Sequence, residues 1–158
     1  MKRAIAAVVL SIISMWAILF FGGMVVMLVI GPESAFKPGL WEWSTTWVVV
    51  NLVLDVSAAV VGGFLCSLIA RRQRPVFVLA GIVLVSGLVV AIIQMTNPHP
   101  DPGPRTISLV LRNWESMKAM SENSLTPLWV QYANTVIGIA GVLAGGRLKK
   151  PGDRDALD

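Results

Sequence analysis

The sequence predicts an all-α membrane protein: an antiparallel bundle of four transmembrane helices with both termini on the cytoplasmic side. Of the 158 residues, 55% are hydrophobic and 14% are charged, whereas soluble domains usually carry about 25% charged residues. Four apolar stretches are long enough to cross a bilayer, which takes about 20 helical residues. The basic residues, which give a net charge of +4, cluster beside the ends of these stretches. A bilayer explains that placement, so we expect no nucleic-acid partner.

The four predicted spans and their loops form one membrane domain, residues 1–146, followed by a short cytoplasmic tail, residues 147–158. Pro75 and Pro127 indicate where the third and fourth spans begin, because a proline in the first helical turn loses no hydrogen bond. The first span far exceeds the apolar core of a cleaved signal peptide, about 7–15 residues, so we expect it to be retained. The spans cover about residues 4–30, 47–70, 76–95 and 128–146.

The distribution of Lys and Arg predicts the orientation. Nine of the 13 basic residues lie at the N-terminus, between the second and third spans, or in the tail. By the positive-inside rule, that side is cytoplasmic. Tryptophans, which favour the membrane–water interface, fall near the outer ends of the spans: Trp41, Trp43, Trp47, Trp114 and Trp129. We expect a plasma membrane, and the glycine- and valine-rich composition suggests a bacterial inner membrane.

The longer outer loop, residues 96–126, is predicted to contain a short helix. Its apolar residues recur at helical spacing: Ile107, Val110, Leu111, Trp114 and Met117. Two interpretations stay open. The helix lies on the outer membrane surface as an amphipathic element, or it packs over the mouth of the bundle as an ordinary loop helix.

Asp55 is the only ionisable residue within any predicted span. It follows Trp47 by two helical turns, which places it roughly 12 Å below the outer interface at about 1.5 Å per residue. A charged side chain at such a depth costs at least about 2.5–3.5 kcal/mol. We therefore expect Asp55 to face the bundle interior or a water-filled pocket, and the sequence leaves its protonation state open.

Polar and small residues on the second and fourth spans predict that these two spans pack together. Asn51 lies one helical turn before Asp55, and Asn134 lies at nearly the same depth in the fourth span. Gln131 and Tyr132 would extend this polar cluster toward the outer surface. Small residues that permit close helix packing lie on the same spans: Gly62, Gly63, Gly138, Gly141 and Gly145. The cluster is either an ion or ligand site, or interhelical packing in which Asp55 bonds to Asn134.

The sequence contains no motif for catalysis, a metal or a cofactor. His99 and Asp101 form a poor metal pair, because two ligands are too few. Phosphate-binding glycine loops and nucleophile elbows are not found. We expect a protein that is not an enzyme and binds no cofactor. The favoured hypothesis is a non-catalytic subunit or scaffold that acts through helix–helix and outer-loop contacts, as a homo-oligomer or with a membrane-protein partner. The alternative is a small oligomeric transporter or channel that uses the polar cluster around Asp55.

Overall fold

The computed structural model describes residues 2–96, 103–105, 109 and 114–148. This part of the chain contains five α-helices and a 3-10 helix, Pro32–Ala35. Four of the α-helices are long and apolar enough to cross a membrane, which confirms the predicted number of apolar helices. The α-helices are α1 (Lys2–Ile30), α2 (Thr45–Ala70), α3 (Arg74–Thr96), α4 (Trp114–Asn123) and α5 (Leu128–Arg147).

The long helices expose most of their apolar side chains. In α1, only Ala7 and Ser11 are buried, whereas Phe20 and Val29 are largely exposed. Soluble monomers rarely expose contiguous apolar surfaces larger than a few hundred Å². The exposed apolar helices are compatible with a multi-pass membrane protein.

Local sequence signals define the ends of α2. The Ser44 hydroxyl accepts a hydrogen bond from the Trp47 backbone N–H at 3.1 Å, which satisfies a free donor of the first turn. At the other end, Arg71 has φ of 54°, a left-handed conformation that costs about 1–2 kcal/mol in a residue with a Cβ. The Gln73 side-chain amide then donates to the Gly146 carbonyl at 3.2 Å. This bond ties the short turn between α2 and α3 to the end of α5.

Helices α2 and α5 form the central pair of the structure, with α1 packed on α2 and α3 packed on α5. An added Cβ at Gly63 would overlap the Val142 carbonyl oxygen, and one at Gly145 would overlap that of Val60. The two backbones are therefore in direct contact, as small residues permit. Gly141 contributes to the same contact, because an added Cβ would lie 2.6 Å from the Ala59 Cβ.

Two of the predicted packing glycines face other helices. An added Cβ at Gly62 would lie 2.5 Å from Met15 Cγ in α1, and one at Gly138 would lie 2.9 Å from Val83 Cγ1 in α3. Successive residues of a helix point about 100° apart, since each turn holds 3.6 residues. Gly62 and its neighbour Gly63 therefore serve two different helix contacts.

A second hydrophobic cluster, the outer cap, packs against the end of α1 and the start of α2. It consists of six buried residues: Ala35, Phe36, Trp41, Trp47, Leu109 and Met120. Met120 attaches α4 to this cap. The loop between α3 and α5 thus contains a helix, α4, in which Ser116 and Met120 are buried while Trp114 and Met117 are exposed. Ile107, Val110 and Leu111 lie outside the described residues.

Replacing Gly63 by alanine is expected to destabilise the protein, because the new methyl group would meet the Val142 carbonyl oxygen. Overpacking of this kind typically costs about 1–3 kcal/mol, so the midpoint of thermal unfolding in detergent should fall by several degrees. Gly81→Ala in α3 is the matched control, since nothing lies within 4 Å of its added Cβ. Equal midpoints for the two variants would contradict a direct backbone contact between α2 and α5.

Candidate functional site

A cavity of about 400 Å³, the Asp55 crevice, lies among the four long helices. Helices α2 and α5 contribute polar residues to its floor, and α1 and α3 contribute mainly apolar walls. Ala7 of α1 and Leu79 of α3 share a buried cluster near one end of these two helices. Later in their sequences, α1 and α3 lie on opposite sides of the cavity and line it. Its polar lining residues are Asp55, Ser86, Gln131, Asn134 and Thr135.

Two buried oxygen atoms in the Asp55 crevice have no hydrogen-bond partner among the described residues. They are Asp55 Oδ2 and Asn134 Oδ1. An unsatisfied buried polar atom costs about 1–3 kcal/mol, and the crevice lining contains no Lys or Arg that could neutralise the carboxylate. Among the described residues, the hydrogen bond expected between Asp55 and Asn134 is not formed, because the Asn134 amide donates to Asn51 instead. Both unpartnered oxygen atoms are almost completely shielded from solvent, so a donor in the crevice reaches either of them only after the surrounding side chains shift.

The structure brings most of the predicted polar cluster together. Asn134 Nδ2 donates to Asn51 Oδ1 across α2 and α5, at a long distance of 3.5 Å. Gln131 lines the crevice beside Asn134. Tyr132 points elsewhere: its hydroxyl donates to the Met95 sulfur at 3.1 Å, and its ring is partly exposed. Gln131 and Tyr132 diverge because adjacent helical residues face different directions.

Comparisons of the chain with protein-family models, curated proteins and solved structures find no match. Among the described residues, no group of three or more His, Cys, Asp or Glu side chains could hold a metal ion. His99 and Asp101 lie outside those residues.

Three crevice residues whose side chains carry a hydrogen-bonding group were not predicted from the sequence: Trp16, Ser86 and Thr135. Trp16 is 71% exposed and stands near the middle of α1, far from the other tryptophans along the chain. This isolated position is the sequence feature from which Trp16 could have been predicted as a site residue. The Ser86 and Thr135 hydroxyls donate to carbonyls of their own helices, Val83 and Gln131, both at 3.0 Å. Such internal bonds satisfy the hydroxyl donor and leave the hydroxyl oxygen able to accept a further hydrogen bond.

The tryptophans predicted at the outer interface divide into two groups. Trp41 and Trp47 are each 6% exposed and belong to the outer cap, and Trp43 Nε1 donates to Ser124 Oγ at 3.0 Å. Trp114 and Trp129 are exposed. Only the second group has rings that are open to the surroundings of the protein.

An ion pair beside the cap joins the loop between α1 and α2 to the loop between α3 and α5. Arg105 Nη2 lies 2.6 Å from Glu33 Oε2, and the Arg105 side chain is 7% exposed. The other Glu33 carboxylate oxygen accepts the Leu109 backbone N–H at 2.6 Å, and the guanidinium lies 5.9 Å from the Phe36 ring centroid. Charge-assisted bonds of this kind are about twice as strong as neutral ones. Glu33 therefore anchors the described part of the longer loop.

Glu33→Ala is expected to release the segment around Leu109, because it removes both bonds that the carboxylate makes. Hydrogen–deuterium exchange in the peptide containing Leu109 should accelerate by about tenfold or more, given about 1.5–3 kcal/mol for a hydrogen bond to a charged group. Glu42→Ala is the control, since its ion pair with Lys37 is half exposed and such pairs contribute little. The same acceleration in both variants would show that Glu33 is not the anchor.

Proposed function

We propose that this chain is a membrane-embedded binding protein that takes a cationic, amphipathic small molecule into the Asp55 crevice, and that this binding serves transport in an oligomer. One observation carries the proposal: Asp55, whose carboxylate oxygen Oδ2 is buried and has no partner among the described residues, lines a cavity of about 400 Å³ with mainly apolar walls. Small-molecule sites are typically about 300–1,000 Å³, apolar, and equipped with a few convergent polar groups.

The chemistry of the lining favours a cation. An ammonium group offers the donors that Asp55 Oδ2 and Asn134 Oδ1 lack, and its positive charge offsets the carboxylate. The apolar body of the molecule would contact the side chains of α1 and α3. Trp16 at the edge of the crevice adds a ring face, which attracts cations. An anion would be repelled by the Asp55 carboxylate, because the crevice lining contains no Lys or Arg.

The crevice favours entry from the bilayer. Trp16 of α1 and Ile82 of α3, which line it, are exposed, and α1 and α3 make a far smaller contact than α2 and α5. The surrounding surface of both helices is apolar. An amphipathic molecule concentrated in the membrane would reach Asp55 between α1 and α3.

Binding of 4-phenylbutylammonium to the purified protein in detergent tests the proposal, with 4-phenylbutyrate as an anion of similar size and shape. The wild type should bind the cation and not the anion, and Asp55→Asn should lower the affinity at least about tenfold. Affinity should also fall as the pH is lowered, because a proton and the cation compete for one carboxylate. This pH dependence should be absent in Asp55→Asn.

Glu42→Gln, which removes an exposed carboxylate of the outer loop, is the control for non-specific attraction. It should bind the cation as the wild type does. Equal binding of both probes, or unchanged cation binding in Asp55→Asn, would contradict the proposal.

A second candidate is a non-catalytic subunit or scaffold that binds a membrane-protein partner or further copies of itself. The exposure of α1 favours it, because only Ala7 and Ser11 of that helix are buried. Native mass spectrometry after mild extraction separates the two candidates. A stable complex with another protein would support the subunit. A homo-oligomer that retains a small ligand would support transport, since four short spans need a second copy to enclose a pathway.

We also propose that the chain lies in a bacterial inner membrane with both termini in the cytoplasm. Lys2 and Arg3 begin α1, Arg71 and Arg72 follow α2, and Arg147 ends α5. The Gln73–Gly146 bond and the shared cluster near Ala7 support the grouping of these ends on one side. The positive-inside rule makes that side cytoplasmic.

A further inference from the structure

A second crevice, the Arg74 crevice, lies between the first turns of α1 and α3. Its volume is about 340 Å³. Arg74 is its one charged lining residue, and the rest of the lining is apolar. The apolar residues include Ala4, Ile5, Val9, Pro75 and Val78. Ile5, Val9 and Val78 are exposed, so the crevice is accessible from the side of the helices.

The surroundings of the Arg74 crevice are strongly basic. Lys2 and Arg3 directly precede its lining residue Ala4, and Arg71 and Arg72 lie in the turn that leads to Arg74. All of these side chains are exposed. Among the described residues, no carboxylate pairs with any of them. Asp55 lies about four helical turns before the end of α2, and the other described carboxylates belong to the segments between α1 and α2 and between α3 and α5.

Arg74 has a fixed position relative to the crevice. It begins α3 immediately after Gln73, whose side chain bonds to the Gly146 carbonyl at the end of α5. Pro75 follows within the first helical turn and is buried. The charge therefore sits at the rim of an apolar crevice, on a turn held by α5.

We propose that the Arg74 crevice binds an anionic phospholipid, with its phosphate at Arg74 and part of an acyl chain against the apolar residues of α1 and α3. A guanidinium binds phosphate through paired hydrogen bonds. Basic pockets between membrane helices on the cytoplasmic side recruit anionic headgroups. The apolar lining would contact an acyl chain, which a free phosphate ion lacks. A phospholipid therefore matches both the charged residue and the apolar residues of the crevice. This site is independent of the Asp55 crevice.

Native mass spectrometry of the delipidated full-length protein, titrated with phosphatidylglycerol or phosphatidylcholine of identical acyl chains, tests the proposal. The first phosphatidylglycerol should bind more tightly than phosphatidylcholine. Arg74→Gln should weaken that binding about fivefold, the effect of one cation at a membrane surface. Arg72→Gln, which removes an exposed charge of the same turn outside the lining, should change it little.

Val78→Trp provides a second variant, because it fills the crevice and keeps every charge. It should also weaken the first phosphatidylglycerol, while its thermal midpoint stays near that of the wild type, since Val78 is exposed. Equal losses in Arg72→Gln and Arg74→Gln would overturn the proposal in favour of diffuse attraction. Equal binding of the two lipids, or unchanged binding in Val78→Trp, would also overturn it. Displacement of the lipid by millimolar inorganic phosphate would indicate a free-anion site instead.

Discussion

The carbonyl oxygens of Val142 and Val60 occupy the space that a Cβ would take at Gly63 and Gly145. This reciprocal contact brings the backbones of α2 and α5 as close as helices can lie, which only glycine permits at those points. Hydrophobic association cannot hold helices together inside lipid, because lipid tails are as apolar as the side chains. Close packing of these glycines is therefore the main constraint that fixes the two helices in register, and α1 and α3 are placed by packing on them.

The register of α2 and α5 brings Asn51 opposite Asn134 and places Asp55 in the same crevice as Asn134. Two acceptor atoms are left without partners there, at a cost of about 1–3 kcal/mol each. A structure optimised only for stability would replace such a carboxylate by an apolar residue of similar volume. The tight packing deeper in the pair offsets this cost. Local destabilisation of that kind is typical of residues retained for binding.

The four long helices and the pairing of α2 with α5 follow from local sequence features, namely apolar length and the spacing of glycine and polar residues. The lining of the Asp55 crevice does not, because it depends on the rotation of α1 and α3 about their own axes. For this reason Trp16, Ser86 and Thr135 were not predicted as lining residues from the sequence. The ion pair between Glu33 and Arg105 could not be predicted either, because the two residues lie in different loops and no helical periodicity relates their positions. The buried Trp41 and Trp47 show a further limit: an amphipathic ring near a span end fits a lipid interface and a protein cap equally well.

The helix contacts differ in how easily they can adjust. α2 and α5 touch through backbone atoms, which cannot repack. α1 meets α2 through flexible side chains, Met15 against Gly62 and Leu54 against Gly22, and the thioether chain of methionine adapts readily to new surroundings. α1 is also the least buried of the long helices and forms one wall of both crevices. Movement of α1 would therefore widen or narrow either crevice while the α2–α5 pair keeps Asp55 and Asn134 in place. If the Asp55 crevice binds a ligand that is too large for it, the displacement of α1 would widen the crevice at the lowest cost. The α2–α5 pair would meanwhile hold Asp55 and Asn134 in place for the polar end of that ligand.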